Sequence, residues 1–376
     1  MRKIAAHYTL IGGELCRNIV VSVDDQRGVV AVDRVTSLDN MASVEFYPGI
    51  LIPGMVNAHC HLELSYLRGA IAEKSGFAGF ARAIGAVRNN FTSEERLHAA
   101  SVADAQMWEQ GIEAVIDIAN DDLVMPVKER SHIEYLTLFE VFGLTTQHVD
   151  NHKNMASKWA QSSITPHSTY SLQDATFRNA VNENNSIVSI HLLESKAEIE
   201  LYQRQGSLWE WYERMGWECD FLSYASPAKR IVESIAHDKR VVLVHGCEAT
   251  SNDIKTIDKH FTAPATWALC PESNRYISDV KPPVEMLRSM GSHITIGTDS
   301  LASARELSMI ENMRLLGDIP LAEMLTWATK NGAEAMGLSS KIGTIEVGKS
   351  PGLVLVEDVD LHNMRLTPQS RTHRIL

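Results

Sequence analysis

Residues 56 to 69, VNAHCHLELSYLRG, hold the only His-x-His pair in a chain of 376 residues. Fifteen histidines scattered at random would give roughly 0.6 such pairs, so the pair gains meaning only from its setting. That setting is a run of strand length, MVNAHCHLE (55 to 63). Side chains alternate along a strand, so His59 and His61 should face one side while Cys60 faces the other. Glu63 is in phase with the histidines and should face the same way on a regular strand.

Seven more apolar runs of strand length follow, separated by amphipathic segments: EAVIDIAN (113 to 120), IEYLTLFEVFG (133 to 143), SITPHSTYS (163 to 171), IVSIHLLES (187 to 195), RVVLVHG (240 to 246), TWALCPES (266 to 273) and HITIGTDS (293 to 300). The intervening helices carry end signals. SEERLHAASVADAQMWEQG closes on Gly111, SLQDATFRNAVNENN opens with Ser171 and Asp174 in capping-box spacing, and SNDIKTIDKHF opens on Ser251. Eight strands alternating with helices over about 250 residues is the size and order of a (β/α)₈ TIM-type barrel. An open doubly wound sheet is the alternative, but no G-x-G-x-x-G follows the first strand.

Residues 1–50 read as short strands without helical period (KIAAHYTLI, RNIVVSVDD, GVVAVDRV), and residues 341–360 look the same. The two ends should meet as one small discontinuous β-domain, a β-sandwich built from 1–50 and 340–376, around a barrel spanning 51–339. LAEMLTWATKNGAEAMGLS should be the last barrel helix, ending at Gly337.

The formal net charge of −12, with Lys and Arg scattered, argues against a nucleic acid or an anionic membrane as partner and for a small-molecule substrate. Five widely spaced cysteines without CxxC suit reduced core thiols and a cytoplasmic setting. Neither a signal segment nor a membrane span is expected.

Active groups of such barrels sit at the C-terminal ends of the strands. Here the first strand ends in His59 and His61, the fifth in His191, the sixth in His245 and the eighth in Asp299. Taken singly, each is an ordinary hydrogen-bonded histidine or helix cap. Five of them at one rim point to a bound divalent metal, zinc first, with Fe²⁺ or Mn²⁺ able to use the same donors.

PGMVNAHCHLELSYLRG, HLLES, LVHG, CPESN, GTDSLAS and the tail GTIEVGKSPGLVLVE, in this order, resemble the amidohydrolase superfamily. Within it they are similar to the branch of S-adenosylhomocysteine deaminases, triazine hydrolases and aminodeoxyfutalosine deaminases. The resemblance implies one metal held by His59, His61, His191 and Asp299. It implies Glu194 as catalytic acid/base, with a salt bridge to Lys196 as the alternative, His245 as the group that orients water, and His167 as a substrate contact. The fourth strand has no lysine to bridge two metals, which favours one. Glu140 is expected to bind substrate or support the metal ligands, although another branch of the superfamily uses a third-strand glutamate as a ligand. HLELS is close to the aminodeoxyfutalosine deaminase form, which makes Glu63 a candidate for substrate hydroxyls or an amine; pairing with Arg68 is the alternative.

The implied activity is metal-dependent hydrolytic deamination of an aminated purine nucleoside, adenosine-like or aminodeoxyfutalosine-like, or of a related heterocycle. A triazine-type chlorohydrolase or a cyclic amide or imine hydrolase would keep the same site, and a non-catalytic scaffold of the same fold would have lost ligands that this chain keeps. The segment with Trp209, Trp211, Tyr212 and Trp217 fits a core or a homo-oligomer contact more readily than a lid.

Overall fold

The computed structural model of the protein describes residues 1–35, 43–145, 149–183 and 187–376. Five strands come first: β1 (Arg2–Ile11), β2 (Glu14–Cys16), β3 (Ile19–Val23), β4 (Val29–Arg34) and β5 (Val44–Pro53). A second series runs through β6 (Met55–Cys60), β7 (Ile112–Ala119), β8 (Glu134–Val141), β9 (Ser162–Pro166), β10 (Ile187–Leu192), β11 (Arg240–His245), β12 (Thr266–Leu269) and β13 (His293–Ile296). β14 (Leu353–Glu357) and β15 (Arg371–Arg374) follow. All eight strands expected between residues 55 and 300 are present, and each stops before its apolar run does. The polar residues that close those runs leave the ladder and turn over the strand ends.

The second series forms two parallel four-stranded sheets, β6-β7-β8-β9 and β10-β11-β12-β13. Isolated parallel bridges link Cys60 to Asp299 and Ser168 to His191, the residues at the edges where the two sheets adjoin. Burial on both faces explains why these strands read as nearly unbroken apolar runs. One face gathers Val56, Ala58, Ile116, Ile118, Val242 and Val244, and the opposite face gathers Val115, Ile190, Leu243, Trp267 and Ile294 with the apolar sides of the helices.

Strands from both ends of the chain join in one seven-stranded sheet of order β15-β14-β5-β1-β3-β4, with β2 on β1. Alternation divides its side chains. Ile50, Ile52, Val354 and Val356 belong to the core shared with the parallel strands, whereas Leu51, Leu353 and Leu355 pack with Ile4, Val21 and Val23 in a separate cluster. The expected strand character of 341–360 is confined to β14, because residues 341–350 form turns.

Helix Ser93–Glu109 has Thr92 and Glu95 as its capping box, and helix Ser251–His260 has Thr250 and Asp253, so its cap stands one residue before the expected Ser251. The helix expected from Ser171 starts at Asp174 instead, and Asn184 and Asn185 lie outside the described residues. Ser171 forms no capping box; its Oγ accepts the Ser168 N–H at 3.2 Å, and the Asp174 N–H goes to Asp220 Oδ1 at 2.8 Å. The last helix runs from Leu321 to Met336 through a π-turn at Trp327–Asn331 and ends, as expected, at Gly337 with φ +77°. The five cysteines are free, but only Cys60 and Cys270 are buried; Cys16, Cys219 and Cys247 are half-buried. No described helix is long and apolar enough to cross a membrane.

Candidate metal centre and its cavity

His59, His61 and His191 each present a ring nitrogen, and these three nitrogens lie within 4.8 Å of one another. A register irregularity between Asn57 and Cys60 in the β6–β7 ladder sets the phase, leaving Cys60 in the opposite core while His59 and His61 sit with ring centroids 4.9 Å apart. His191 comes from β10, its ring centroid 4.8 Å from that of His59. Asp299, three residues beyond β13, turns Oδ1 towards them, 3.9 Å from His59 Nε2 and 3.7 Å from His61 Nε2. Its Oδ2 is fixed by the hydroxyls of Ser273 (2.5 Å) and Ser303 (3.1 Å). Gly297 is required beside this group, since a Cβ there would stand 2.9 Å from His59 Cβ and 2.9 Å from Cys270 Sγ.

Asp299 and His245 both take left-handed backbone conformations, φ +59° and +73°. Non-glycine residues adopt these only where the surroundings over-determine them, and such positions cluster at functional sites. The turn after His61 is tied down from below: the Leu62 N–H donates to Asp117 Oδ1 at 2.8 Å, and Asp117 Oδ2 is 2.5 Å from Lys128 Nζ in a fully buried ion pair.

The donors fit a metal by an independent criterion. Both ring nitrogens of His59, Nδ1 of His61 and Nε2 of His245 are buried without a hydrogen-bond partner, a costly arrangement unless something else engages them. Burial, reinforced by the neighbouring imidazoles, pushes His59 and His191 well below the ordinary histidine range, which leaves them neutral as ligation requires. His191 Nδ1 is 2.9 Å from the His167 carbonyl and donates to it, which fixes the tautomer with the Nε2 lone pair free. His245 is held likewise by Asn274 Oδ1 at 2.7 Å, and its Nε2 lies 3.8 Å from Glu194 Oε1.

Glu194 is 11% exposed at its side chain, and its desolvation, followed by the charges of Asp299 and Glu198, raises its carboxyl well above the ordinary range. It makes no pair with Lys196, whose ammonium goes to Glu200 at 3.1 Å. The second group, Glu140 with His167 and His191, is differently arranged. Glu140 Oε2 and His167 Nδ1 satisfy each other at 2.6 Å, and the single free nitrogen of His191 can serve only one ion. Burial opposes ionisation of Glu140, but the charge and hydrogen bond of His167 outweigh it and hold the carboxyl below its usual range.

Glu63 is placed elsewhere than the strand phase suggests. β6 ends at Cys60, and residues Leu62–Leu67 form a short 3₁₀ segment, so Glu63 is not on the strand. Its carboxylate accepts from Asn120 Nδ2 at 2.6 Å, and the same amide donates to Glu140 Oε1 at 2.8 Å. Glu63 therefore stands behind Asn120 and is absent from the cavity lining, while Arg68, its alternative partner, donates to the Arg305 carbonyl instead. The carboxyl is pushed up to about 7, mainly by burial.

Above the histidines opens a cavity of about 480 Å³, within the range of small-molecule sites. His61, His191, His245, Glu194 and Asp299 line its base, and Glu140, His167 and Asn120 one side. Trp211, Tyr212 and Trp217 also line it, Trp211 and Trp217 with centroids 5.5 Å apart, and they pack at the same time in the expected apolar core, against Leu201, Leu208 and Phe221, so one side of that cluster serves as a cavity wall. Trp209 packs in the cluster behind them.

Sequence reasoning missed Asn120, Ser273, Asn274, Ser303 and Glu198. The first four lie in or beside strand-end segments already singled out, and Glu198 follows Glu194 by one helical turn. Glu198 Oε2 accepts the Glu194 N–H at 3.2 Å and Oε1 accepts the Thr169 hydroxyl at 2.5 Å. Burial pushes its carboxyl up to about 7. Between the unfolded value near 4.5 and about 7 the folded chain keeps a proton that the unfolded chain has lost, so this group lowers stability as pH rises through that window. Glu198→Gln, whose Oε1 can accept the Glu194 N–H while its Nε2 donates to the Thr169 hydroxyl, is expected to gain up to about 3 kcal/mol over wild type between pH 5 and pH 8. Urea unfolding at the two pH values checks this; an equal difference at both would contradict it.

The amidohydrolase family profile matches residues 50–372, and the chain belongs to that family. An adenosine deaminase of Helicobacter pylori is 25% identical over 371 residues, covering 90% of this chain and 88% of that protein. A 5-methylthioadenosine/S-adenosylhomocysteine deaminase of Thermoanaerobacter pseudethanolicus is 24% identical, covering 83% of this chain and 74% of its own. Among solved structures, aminofutalosine deaminase of Helicobacter pylori in complex with methylthio-coformycin superposes with a TM-score of 0.80 at 22% identity, over 95% of this chain and 92% of the other.

Proposed function

We propose that the protein is a metal-dependent hydrolytic deaminase that releases ammonia from an aminated purine nucleoside, adenosine-like or aminodeoxyfutalosine-like, or from a related heterocycle. One observation carries the reading: three adjacent imidazoles, two of them with buried nitrogens that make no hydrogen bond, stand with Glu194 at the base of an aromatic-walled cavity. The deaminase names of the relatives agree with it. The bridges at Cys60–Asp299 and Ser168–His191 support closure of the two parallel sheets into one (β/α)₈ barrel over 51–339. The separate apolar cluster of the terminal sheet supports a small sandwich-like domain formed by 1–50 and 340–376. The free cysteines agree with a cytoplasmic setting.

His59, His61, His191 and Asp299 would hold one divalent metal, zinc by donor type. When bound, such a metal lowers the pKa of a water from 15.7 to about 7 and so supplies hydroxide at neutral pH. Glu194 takes a proton from the attacking water and delivers it to the ring nitrogen beside the amine-bearing carbon. Oxygen adds to that carbon, the carbon–nitrogen bond breaks, and the amine leaves as ammonia with a proton returned through Asp299. His245, its Nδ1–H anchored on Asn274, keeps the Nε2 lone pair beside Glu194 and orients the attacking oxygen. His167, backed by Glu140, contacts the substrate, and the tryptophans offer a face for a flat ring.

Zinc-loaded protein should release one ammonia per turnover from adenosine-like nucleosides and no chloride from a chlorinated triazine. Chloride release or ring opening without ammonia would replace the deaminase by the other hydrolases. Protein that binds less than one metal and hydrolyses none of these compounds would be a scaffold.

A further inference from the structure

We propose that Asn120 selects the sugar of the substrate: its side-chain oxygen is a preset acceptor for the 2′ or the 3′ hydroxyl of an adenosine-like nucleoside. The inference rests on the deaminase reading and adds to it a residue that determines specificity. Asn120 directly follows the end of β7 and lines the cavity on the side of Glu140 and His167. One atom of its amide lies 2.6 Å from Glu63 Oε1 and 2.8 Å from Glu140 Oε1. Glu140 shares a proton with His167 through its other oxygen, Oε2, at 2.6 Å. Wherever in that pair the proton rests, Glu140 Oε1 can only accept. The amide atom between the two carboxyls is therefore the nitrogen, and both of its N–H bonds are taken.

Oδ1, in contrast, makes no hydrogen bond among the described residues, and it is not sealed in the interior as the orphaned histidine nitrogens are. The amide cannot turn over to present its nitrogen instead, since that would set its oxygen against the accepting Glu140 Oε1. Glu63 is braced in turn: its Oε2 accepts the Asp121 N–H at 3.3 Å, and the Asp121 carboxylate is paired with Arg96 at 2.6 Å. Glu63 and Glu140 are thus positioning residues that turn an ordinary amide into a fixed acceptor. A fixed acceptor selects a donor. On an adenosine-like nucleoside the amine is the group that departs at the base of the cavity, and the donors that remain, whatever the 5′ arm carries, are the 2′ and 3′ hydroxyls.

The test uses zinc-loaded protein with adenosine and its 2′-deoxy-2′-fluoro and 3′-deoxy-3′-fluoro analogues, because fluorine fills the place of a hydroxyl but cannot donate. Wild type should use one of the two analogues about five- to a hundredfold less well than adenosine in kcat/KM, mostly through KM. Asn120→Ala should remove that discrimination and lower kcat/KM for adenosine by a similar factor, with metal content unchanged. Glu63→Leu leaves Asn120 in place but frees one of its N–H bonds, and it should weaken the discrimination. Loss of stability alone would not do so, since the ratio of two substrates on one preparation is independent of how much protein is folded. Equal kcat/KM for all three nucleosides in wild type, a comparison that needs no variant, would overturn the inference and leave the deaminase reading standing. Discrimination that survives Asn120→Ala would do the same. Absence of ammonia from all three in wild type would overturn the adenosine-like reading and this inference with it.

Discussion

Glu194→Gln is expected to lower kcat by about 10²- to 10⁴-fold while the purified protein keeps its full metal content. The substitution preserves shape and removes only the ability to take and give a proton. Glu194 sits where that ability matters, beside His245 Nε2 at 3.8 Å and carrying a carboxyl raised well above its usual range by desolvation. Its backbone N–H is held by Glu198, so the Gln side chain should occupy the same place. Ammonia release and metal analysis on one preparation decide the matter. Full turnover in Glu194→Gln would remove the proton-carrying role, whereas loss of metal together with activity would make Glu194 part of the ligand set.

His59→Ala should go further, with turnover down by more than about 10⁴-fold and metal well below one equivalent, because the group that activates water is then no longer held. The fold should survive. His59 is fully buried, yet neither of its nitrogens makes a hydrogen bond, so the truncation breaks none and costs only packing. The unfolding temperature of His59→Ala is therefore expected to lie near that of chelator-treated wild type, and adding zinc should raise it far less than it raises wild type. A variant that still binds one equivalent of zinc tightly would show that His61, His191 and Asp299 suffice without it.

The strands were legible because burial on both faces makes each one an unbroken apolar run, and their polar ends were legible because the proposed ligands sit where those runs stop. His59, His61, His191 and Asp299 converge for that reason, although they are up to 240 residues apart in the chain. Glu63 shows where the reasoning fails. Strand phase holds only while the strand lasts, and β6 gives way to a 3₁₀ segment right after the second histidine. Asn120, Asn274 and the two serines were not legible as site residues, since an amide or hydroxyl at a strand end is ordinary until its partner is known. The tryptophans were legible as a core face, but helical spacing could not show that the same cluster also borders the cavity.

The pairing of β5 with β14 carries a consequence for synthesis. Leu51 meets Leu355, and Ile52 meets Val354, across some 300 residues of chain. A contact that distant cannot form until nearly the whole polypeptide has left the ribosome, so Ile50, Leu51 and Ile52 emerge early and wait without their final neighbour. A nascent chain stalled before Leu353 would leave one edge of β5 bare, a sticky strand immediately preceding His59 and His61.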